Sequence, residues 1–286
     1  MGSDRFTIRP AAGDDIGQMS DVLRRAGLAS GGPDLLTFNL ASQGTTRMFV
    51  AIHLNRVVGV ACGVCFGHTG WLGNVAVEDD VRGQGLGRAL SQAAVDFLRE
   101  AGAQTVLLTA TKLGQPIYER LGFTDEGVSY GAWQRDAVPE FARDRSATVR
   151  PADIDDVLRQ DAAATGEDRR SYLAPCADRA RVPAGPGRAG PGISDTAQAG
   201  YWVGLPWGGG PIVAPNPASA RPLIVEMLQA SPGSRLAFPE VNAHGAALAV
   251  SLGFHLTRSV RRMRLGPPVA GYKPWTIYNV FSFGIG

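Results

Sequence analysis

The pattern of apolar and polar positions changes along the first half of the chain, and these changes predict its elements. An apolar run over residues 71–77 and another over residues 105–110 predict two strands. Between them, apolar residues recur at the spacing of one buried helix face: Leu86, Leu90, Ala93, Ala94, Phe97 and Ala101. A glycine-rich turn at residues 82–87 joins the first strand to this helix. Strand, turn, helix and strand therefore form one structural unit.

The turn reads Arg-Gly-Gln-Gly-Leu-Gly over residues 82–87, at the beginning of the predicted helix. Glycines lack the Cβ atoms that block close approach, and the aligned helix dipole favours an anion there by about 0.3–1 kcal/mol. A turn that needs glycine only for steric reasons is the alternative interpretation. The turn lacks the third glycine of the dinucleotide fingerprint and the Gly-Lys-Ser/Thr of a Walker motif, which excludes both. We therefore predict a phosphate-binding turn of another type.

Two signatures carry a resemblance to a known family. The first is the Arg-x-x-Gly-x-Gly turn of residues 82–87, and the second is the segment 111–123, which contains Tyr118 and ends in Leu-Gly-Phe. Together they resemble the motifs of the GNAT superfamily of N-acetyltransferases over about residues 5–135. The resemblance implies an α+β fold with a mixed, mostly antiparallel, splayed sheet flanked by helices.

The second half of the chain repeats the first. Thr-Ile-Arg-Pro-Ala at residues 7–11 recurs as Thr-Val-Arg-Pro-Ala at residues 148–152. Leu-Gly-Phe at residues 121–123 recurs at residues 252–254. The two offsets, 141 residues (from 7 to 148) and 131 residues (from 121 to 252), indicate a duplicated domain with insertions and deletions.

The duplication predicts a tandem chain with domains at residues 1–140 and 146–286, one sheet in each, and a boundary near residues 138–146. The second copy is degenerate. Residues 210–221 stand where the glycine turn would recur, and prolines interrupt this segment. Ala249 stands where the first copy has its tyrosine. This arrangement resembles a GNAT subgroup in which an active N-terminal domain precedes a degenerate C-terminal one. The resemblance implies that the second domain completes the acceptor pocket.

Composition narrows the function classes. The chain has 286 residues and a formal net charge of +2, so no nucleic-acid partner is expected. Without an apolar run of ~18 residues or a signal-peptide pattern, we predict a cytoplasmic chain with no membrane partner. With three cysteines, a disulfide framework is not expected, and with four scattered histidines, a metal site is not expected. Residues 183–192 have the composition of a mobile loop.

The resemblance implies acetyl-CoA as the cosubstrate. The implied coenzyme contacts are Val75, Ala76, Val77, Arg82, Gly83, Gln84, Gly85, Leu86, Gly87, Arg88, Thr111 and Tyr118. Main-chain groups of Val75 and Val77 would pair with the pantetheine arm, and the turn amides would hold the phosphates. Tyr118 is implied as the general acid, because the departing thiolate needs a proton and a tyrosine with a pKa near 10 carries one at neutral pH. A merely buried aromatic is the alternative.

The general base stays open between two candidates. His68 precedes the first strand and Glu78 ends it, and either could remove a proton from an acceptor ammonium group. Asn74, within the strand, is a candidate for positioning the acceptor, and Glu240 is a candidate for lining its pocket. Asn242 is expected to cap the helix that follows it.

These residues support three hypotheses. The leading one is an acetyl-CoA-dependent N-acetyltransferase that passes its acetyl group directly to the primary amine of a small molecule, such as an amino acid, an amino sugar or an amine antibiotic. One alternative is a non-catalytic acyl-CoA-binding regulatory module. The other is a protein N-acetyltransferase, which requires an open groove for its acceptor. The chain is expected to be a monomer or a homodimer.

Overall fold

The computed structural model describes residues 6–28, 32–42, 44–136, 149–184 and 200–285. They form two compact units. Unit 1 comprises Met1–Glu126, Arg262–Pro268 and Gly284–Gly286, and unit 2 comprises Gly127–Arg261 and Val269–Phe283. The units therefore depart from the predicted contiguous domains, because unit 1 ends earlier than residue 140 and takes up two later segments. The predicted boundary at 138–146 and residues 185–192 of the predicted loop lie outside the described residues.

Unit 1 contains four helices and five complete strands among its described residues. In chain order these are β1 (Thr7–Pro10), α1 (Ile16–Arg25), α2 (Gly32–Ala41), β2 (Thr46–His53), β3 (Arg56–Phe66), β4 (Thr69–Val77), α3 (Leu86–Glu100), β5 (Thr105–Ala110) and α4 (Gln115–Glu119). Strand β6 (Thr124–Gln134) begins in this unit, and strand β12 (His255–Leu265) ends in it. The predicted order of strand, glycine turn, helix and strand is confirmed by β4, α3 and β5.

The strands of unit 1 are hydrogen-bonded in the order β1-β2-β3-β4-β5, followed by the end of β12 and the beginning of β6. Strands β4 and β5 are parallel, and their pairing is short. It runs from Thr69 opposite Thr105 to Trp71 opposite Leu107. Beyond this point β4 continues to Val77 and β5 to Ala110 without pairing to each other. A split therefore opens in the sheet between these two strands.

Strand β4 carries a bulge within the split. Val60 of β3 is opposite Ala76, but Cys62 is opposite Gly73, so β4 has one residue more than its partner here. Asn74 takes up the extra residue in the left-handed region, with φ of 53°. As a result Val75 and Val77 pack on the same side as Leu72, against the cluster that includes α3. Regular alternation from Leu72 would have turned them to the opposite face.

Unit 2 contains the remaining elements. These are β7 (Val149–Pro151), α5 (Ile154–Thr165), α6 (Arg170–Leu173), β8 (Ala180–Pro183), β9 (Tyr201–Val203), β10 (Ile212–Val213), α7 (Pro217–Ala230), β11 (Leu236–Pro239), α8 (Ala243–Ser251) and β13 (Ile277–Asn279). Its five-stranded sheet has the order β13-β10-β9-β8-β7, and β11 pairs with β6. The predicted α+β class with two sheets and flanking helices is thereby confirmed, but the five-stranded sheet is antiparallel throughout rather than mixed. No helix among the described residues is long and apolar enough to cross a membrane.

Candidate functional site

The glycine turn leaves the N-terminus of α3 open. Gly85 is the N-cap residue of α3, with φ of 82° and no side-chain hydrogen bond to the helix. Gly83 also has a positive φ, of 77°, and the turn from residue 82 to residue 85 is exposed. The N-cap residue therefore leaves the first amide groups of α3 without a capping side chain of its own, at the positive end of the helix dipole. This geometry suits a phosphate group.

The N-terminus of the corresponding helix of unit 2, α7, is capped by a side chain. Asn216 is the N-cap residue of α7, and its Oδ1 accepts a hydrogen bond of 3.0 Å from the Ser219 amide. Pro217, at the first position of α7, has no amide hydrogen to donate. The prediction that the second copy lacks the phosphate-binding turn agrees with this structure.

The two arginines of the predicted phosphate site are placed differently. The Arg82 guanidinium folds back within its own turn, where Nη1 lies 2.6 Å from Asp79 Oδ1 and Nε donates to the Val77 carbonyl at 3.0 Å. The predicted role of Arg82 as a charged phosphate partner is therefore not supported by its placement. Arg88 lies exposed in the first turn of α3 and is free to turn toward an anion there.

The three predicted coenzyme segments meet at Gly87. A Cβ atom built on Gly87 would lie 3.5 Å from Ile117 Cδ1 and 3.9 Å from Val77 Cγ2. The first turn of α3, the end of β4 and helix α4 are therefore neighbours. The sequence separates Val77 from Ile117 by forty positions, so this meeting is a product of the fold.

The main chain of β4 offers hydrogen-bonding groups to the split. The Glu78 amide donates to the Val58 carbonyl at 2.9 Å, so the alternation of an antiparallel ladder directs the groups of Val77 away from β3. The same alternation directs Val75 into the split. Ala76 lies opposite Val60 within the β3–β4 ladder, which argues against a main-chain contact of Ala76 with the coenzyme.

Tyr118 lies on α4 at the α3 side of the sheet. Its side chain is 9% exposed and packs edge-to-face on Phe123, with ring centroids 6.0 Å apart. A Cβ atom on Gly114 would lie 3.1 Å from the Tyr118 ring, so the small residue makes room for it. Burial raises the pKa of Tyr118 to about 12. The phenol is therefore a proton donor that stays protonated well above neutral pH.

Thr111 lies in the exposed turn before α4. Its Oγ1 accepts a hydrogen bond of 3.3 Å from the Gly114 amide. The hydroxyl thus helps to shape the turn that leads to Tyr118, and it remains accessible for the predicted coenzyme contact.

His68 is not brought to the split. It is an exposed residue of the β3–β4 turn, and its carbonyl accepts hydrogen bonds from the amides of Gln104 and Thr105. Asn74 lies six residues further along β4, which corresponds to about 20 Å of extended strand. This distance argues against the predicted base role of His68.

Glu78 is placed at the end of β4 but is held in an ion pair. Arg25 of α1 donates through Nε to both carboxylate oxygens, at 2.9 and 3.2 Å, and its Nη2 contacts Oε1. Pairing with Glu78 raises the pKa of Arg25. The two residues line an open pocket of about 570 Å³ in which Arg56 also pairs with Asp80 at 3.2 Å. A carboxylate with both oxygens engaged by a guanidinium is a poor general base, which argues against the predicted role.

Substitution of Glu78 tests this conclusion. We expect Glu78→Gln to lower kcat/KM less than tenfold, whereas loss of a general base costs about 10²–10⁴-fold. Steady-state rates with a fixed amine acceptor measure the effect, and Arg25→Gln serves as the matched control for loss of the ion pair alone. A large fall in Glu78→Gln that Arg25→Gln does not share would restore Glu78 as the base.

The two candidates of unit 2 have different surroundings. Asn242 is the N-cap residue of α8, and its Oδ1 accepts from the Gly245 amide at 2.8 Å, as expected. The Glu240 amide donates to the Ser129 carbonyl, and its buried Oε1 has no hydrogen-bond partner among the described residues. A carboxylate oxygen in this state is suited to a polar ligand, and the acceptor role of Glu240 stays a prediction.

Sequence reasoning missed a charged cluster next to the split. Arg262 is 2% exposed, its Nη1 lies 3.1 Å from Glu126 Oε2, and Arg264 Nε lies 3.3 Å from Glu126 Oε1. The Arg262 guanidinium also lies 5.8 Å from the ring of Trp71, the last residue of β4 that pairs with β5. These residues are too far apart in the chain to form a local motif.

Comparisons with known proteins agree with this geometry. Residues 44–125 match the family model described as an acetyltransferase (GNAT) domain. Glucosamine 6-phosphate N-acetyltransferase of Trypanosoma brucei brucei is 28% identical over 124 residues, which are 40% of this chain and 71% of that protein. N-alpha-acetyltransferase 30 of Schizosaccharomyces pombe is 36% identical over 83 residues, which are 26% of this chain and 55% of that protein.

A solved structure extends the likeness to the whole chain. A Pyrococcus horikoshii protein assigned as an acetyltransferase has a TM-score of 0.80 and 22% identity, and the match covers 100% of this chain and 98% of that one. At this identity the match establishes a shared fold. The predicted resemblance is thus confirmed over residues 44–125, and the chain carries an acetyltransferase domain of the GNAT family.

Proposed function

We propose that the chain transfers an acetyl group from acetyl-CoA to the primary amine of a compact small molecule, by direct attack within a ternary complex. The observation that carries this proposal is the split between β4 and β5 beyond Trp71 and Leu107. The open N-terminus of α3 adjoins the end of β4, and Tyr118 lies on the same side of the sheet. We interpret the open N-terminus of α3, the unpaired edge of β4 and the phenol of Tyr118 as the parts of one coenzyme site.

The coenzyme fits this opening from its phosphates to its thioester. The phosphates would bind the amides that follow Gly83 and Gly85, with Arg88 as the charged partner. The two amides of pantetheine would pair with the main chain of Val75 and Val77, as an added strand does at an unpaired sheet edge. Beyond Trp71 this side of β4 does not pair with β5, but the Val77 carbonyl accepts from Arg82 Nε, so a pantetheine amide that binds this carbonyl has to displace or share the Arg82 contact.

Acetyl-CoA supplies an acyl group activated as a thioester. The amine nitrogen bonds to the acyl carbon while the carbon–sulfur bond breaks, and the leaving thiolate takes the phenolic proton of Tyr118. The attacking nitrogen loses its own proton to solvent, and solvent returns a proton to Tyr118. Charges and protons balance, and no residue is needed beyond a donor for the thiolate.

Because His68 lies away from the split and Glu78 is held in an ion pair, we propose that the acceptor loses its ammonium proton to solvent before it attacks. An amine with a pKa of ~10.4 is neutral in only about one molecule in a few thousand at pH 7, so the rate should follow the neutral fraction of the acceptor. This is a distinct kinetic signature, because an enzymatic base would instead impose its own pKa on the rate.

The pH profile follows from these two groups. We expect kcat/KM to rise with pH toward the pKa of the acceptor amine and to show no descending limb below about pH 10, because burial raises the pKa of Tyr118 to about 12 and keeps it protonated. Initial rates across this range measure the profile. A descending limb near neutral pH that Tyr118→Phe abolishes would contradict the assignment.

The acceptor class is tested by thiol release from acetyl-CoA. The panel includes amino acids, amino sugars and their phosphates, polyamines, amine antibiotics and peptides with free N-termini. The relatives named for glucosamine 6-phosphate and for N-alpha acetylation make amino sugars and peptide N-termini the two informative arms. Turnover on small amines supports the proposal, and turnover on peptides alone would favour a protein acceptor. Coenzyme binding without any turnover would favour a non-catalytic binding module.

A further inference from the structure

A segment from far along the chain lies directly on β4 beside its bulge. A Cβ atom built on Gly73 would overlap the carbonyl oxygen of Gly284 and lie 2.6 Å from the Gly284 Cα. A Cβ atom on Gly284 would lie 3.2 Å from the Gly73 Cα and 3.5 Å from Asn74 Oδ1. Ile285 is 2% exposed. Two facing glycines thus allow Gly284 to pack main chain against main chain on the strand, and the next residue, Ile285, is buried.

This contact lies on the sheet face opposite to α3. Leu72 belongs to the α3-side cluster, so its neighbours Trp71 and Gly73 point the other way. Tyr118 belongs to the α3-side cluster as well. With coenzyme phosphates at the N-terminus of α3 and the proton donor on the α3 side, the opposite face remains for the approach of an acceptor amine.

We propose that residues 284–285 form an acceptor-side wall that limits the acceptor to compact amines and shields the thioester from water. This inference rests on the proposed function, and it gives a structural reason why the acceptor is a compact amine. The wall lies against Gly73 and Asn74, where the strand bulges and turns Val75 toward the α3 side. An extended peptide would need the same stretch of strand that the wall covers.

Alanine at Gly73 is the variant that displaces the wall. The new methyl group meets main-chain atoms of Gly284, which cannot rotate away, so the segment must move. Gly284→Ala is the matched control, because its methyl group meets neighbours at 3.2 Å or more and calls for a smaller shift. A third variant, deletion of residues 284–286, removes the wall without adding an atom to β4.

The first readout is acceptor selectivity. We expect Gly73→Ala and the deletion to raise the ratio of kcat/KM for a peptide amine to that for a small amine by about tenfold or more, the scale on which pocket walls discriminate between substrates. The KM for acetyl-CoA should stay within about twofold of the unchanged chain, and Gly284→Ala should give an intermediate ratio. A merely structural role of the segment would lower both rates equally and leave the ratio unchanged, which would overturn the proposal.

The second readout needs no acceptor. We expect release of CoA by hydrolysis of acetyl-CoA to rise about fivefold in Gly73→Ala and in the deletion, because closed sites protect reactive groups from water. An unchanged hydrolysis rate in both variants, with coenzyme bound and the fold intact by circular dichroism, would overturn the wall. If the unchanged chain transfers acetyl to no amine of the panel, the proposed function fails, and the hydrolysis measurement still decides whether the wall exists.

Discussion

Replacement of Gly85 by glutamate is expected to raise the Kd for acetyl-CoA by at least about 100-fold, which corresponds to ~2.7 kcal/mol. Gly85 has φ of 82°, so a side chain there is strained, and it would be attached at the N-cap position next to the first amides of α3. The introduced carboxylate would occupy the anion site itself and repel the pyrophosphate. Each charge-assisted hydrogen bond lost to the phosphates contributes about 1.5–3 kcal/mol, so the loss of one or two is sufficient. Isothermal titration with acetyl-CoA measures the effect.

The same helix provides the control. Gly102 follows the C-terminus of α3, has φ of 97°, and would meet no other atom within 4 Å of an added Cβ. Gly102→Glu therefore imposes similar backbone strain at the end of α3 that is remote from the glycine turn. We expect its Kd for acetyl-CoA to be unchanged within error. Equal loss of affinity in both variants would mean that strain in the helix, and not the anion site, causes the effect.

Replacement of Tyr118 by phenylalanine is expected to lower kcat by about 10²–10⁴-fold, the range in which a positioned general acid contributes. The ring and its contact with Phe123 are retained, so the loss isolates the phenolic proton. The Kd for acetyl-CoA should change little, because the main chain of β4 and the glycine turn are untouched. Single-turnover rates together with titration separate the chemical step from binding.

A tyrosine elsewhere controls for the loss of a hydroxyl. Tyr130 donates to or accepts from the hydroxyl of Tyr272 at 2.7 Å within unit 2. Tyr130→Phe should lower the free energy of unfolding by roughly 0.5–1.5 kcal/mol and leave kcat unchanged. If Tyr118→Phe keeps more than about a third of the activity, the leaving thiolate takes its proton from water, and Tyr118 is a packing residue.

Local patterns were sufficient to predict the coenzyme half of the candidate site. The glycine turn precedes α3, the apolar runs became β4 and β5, and Tyr118 lies on the short helix α4. Each of these features depends on interactions between residues close in sequence: left-handed glycines, a helical apolar face and an apolar strand. The degenerate turn of the second copy was equally local, because Asn216 and Pro217 close their own helix.

The acceptor half depended on residues that meet only after folding. The sequence makes Glu78 a candidate base, but Arg25, 53 positions away, engages both of its oxygens. His68 directly precedes β4 in the sequence, but it lies at the opposite end of this strand from Val75 and Val77. The bulge at Asn74 reversed the faces of Val75 and Val77, and a pattern of period two cannot reveal an inserted residue.

The sequence by itself determined the resemblance to the GNAT family, the helix that follows the glycine turn and the short helix that carries Tyr118, because short-range sterics and periodicity encode these elements. Only the tertiary structure decided how far β4 and β5 stay paired, which carboxylates are neutralised, and that Gly284 reaches Gly73. Pairing length, ion-pair partners and the close approach of two main chains are set by contacts between distant residues. Such contacts leave no periodic trace in a single sequence.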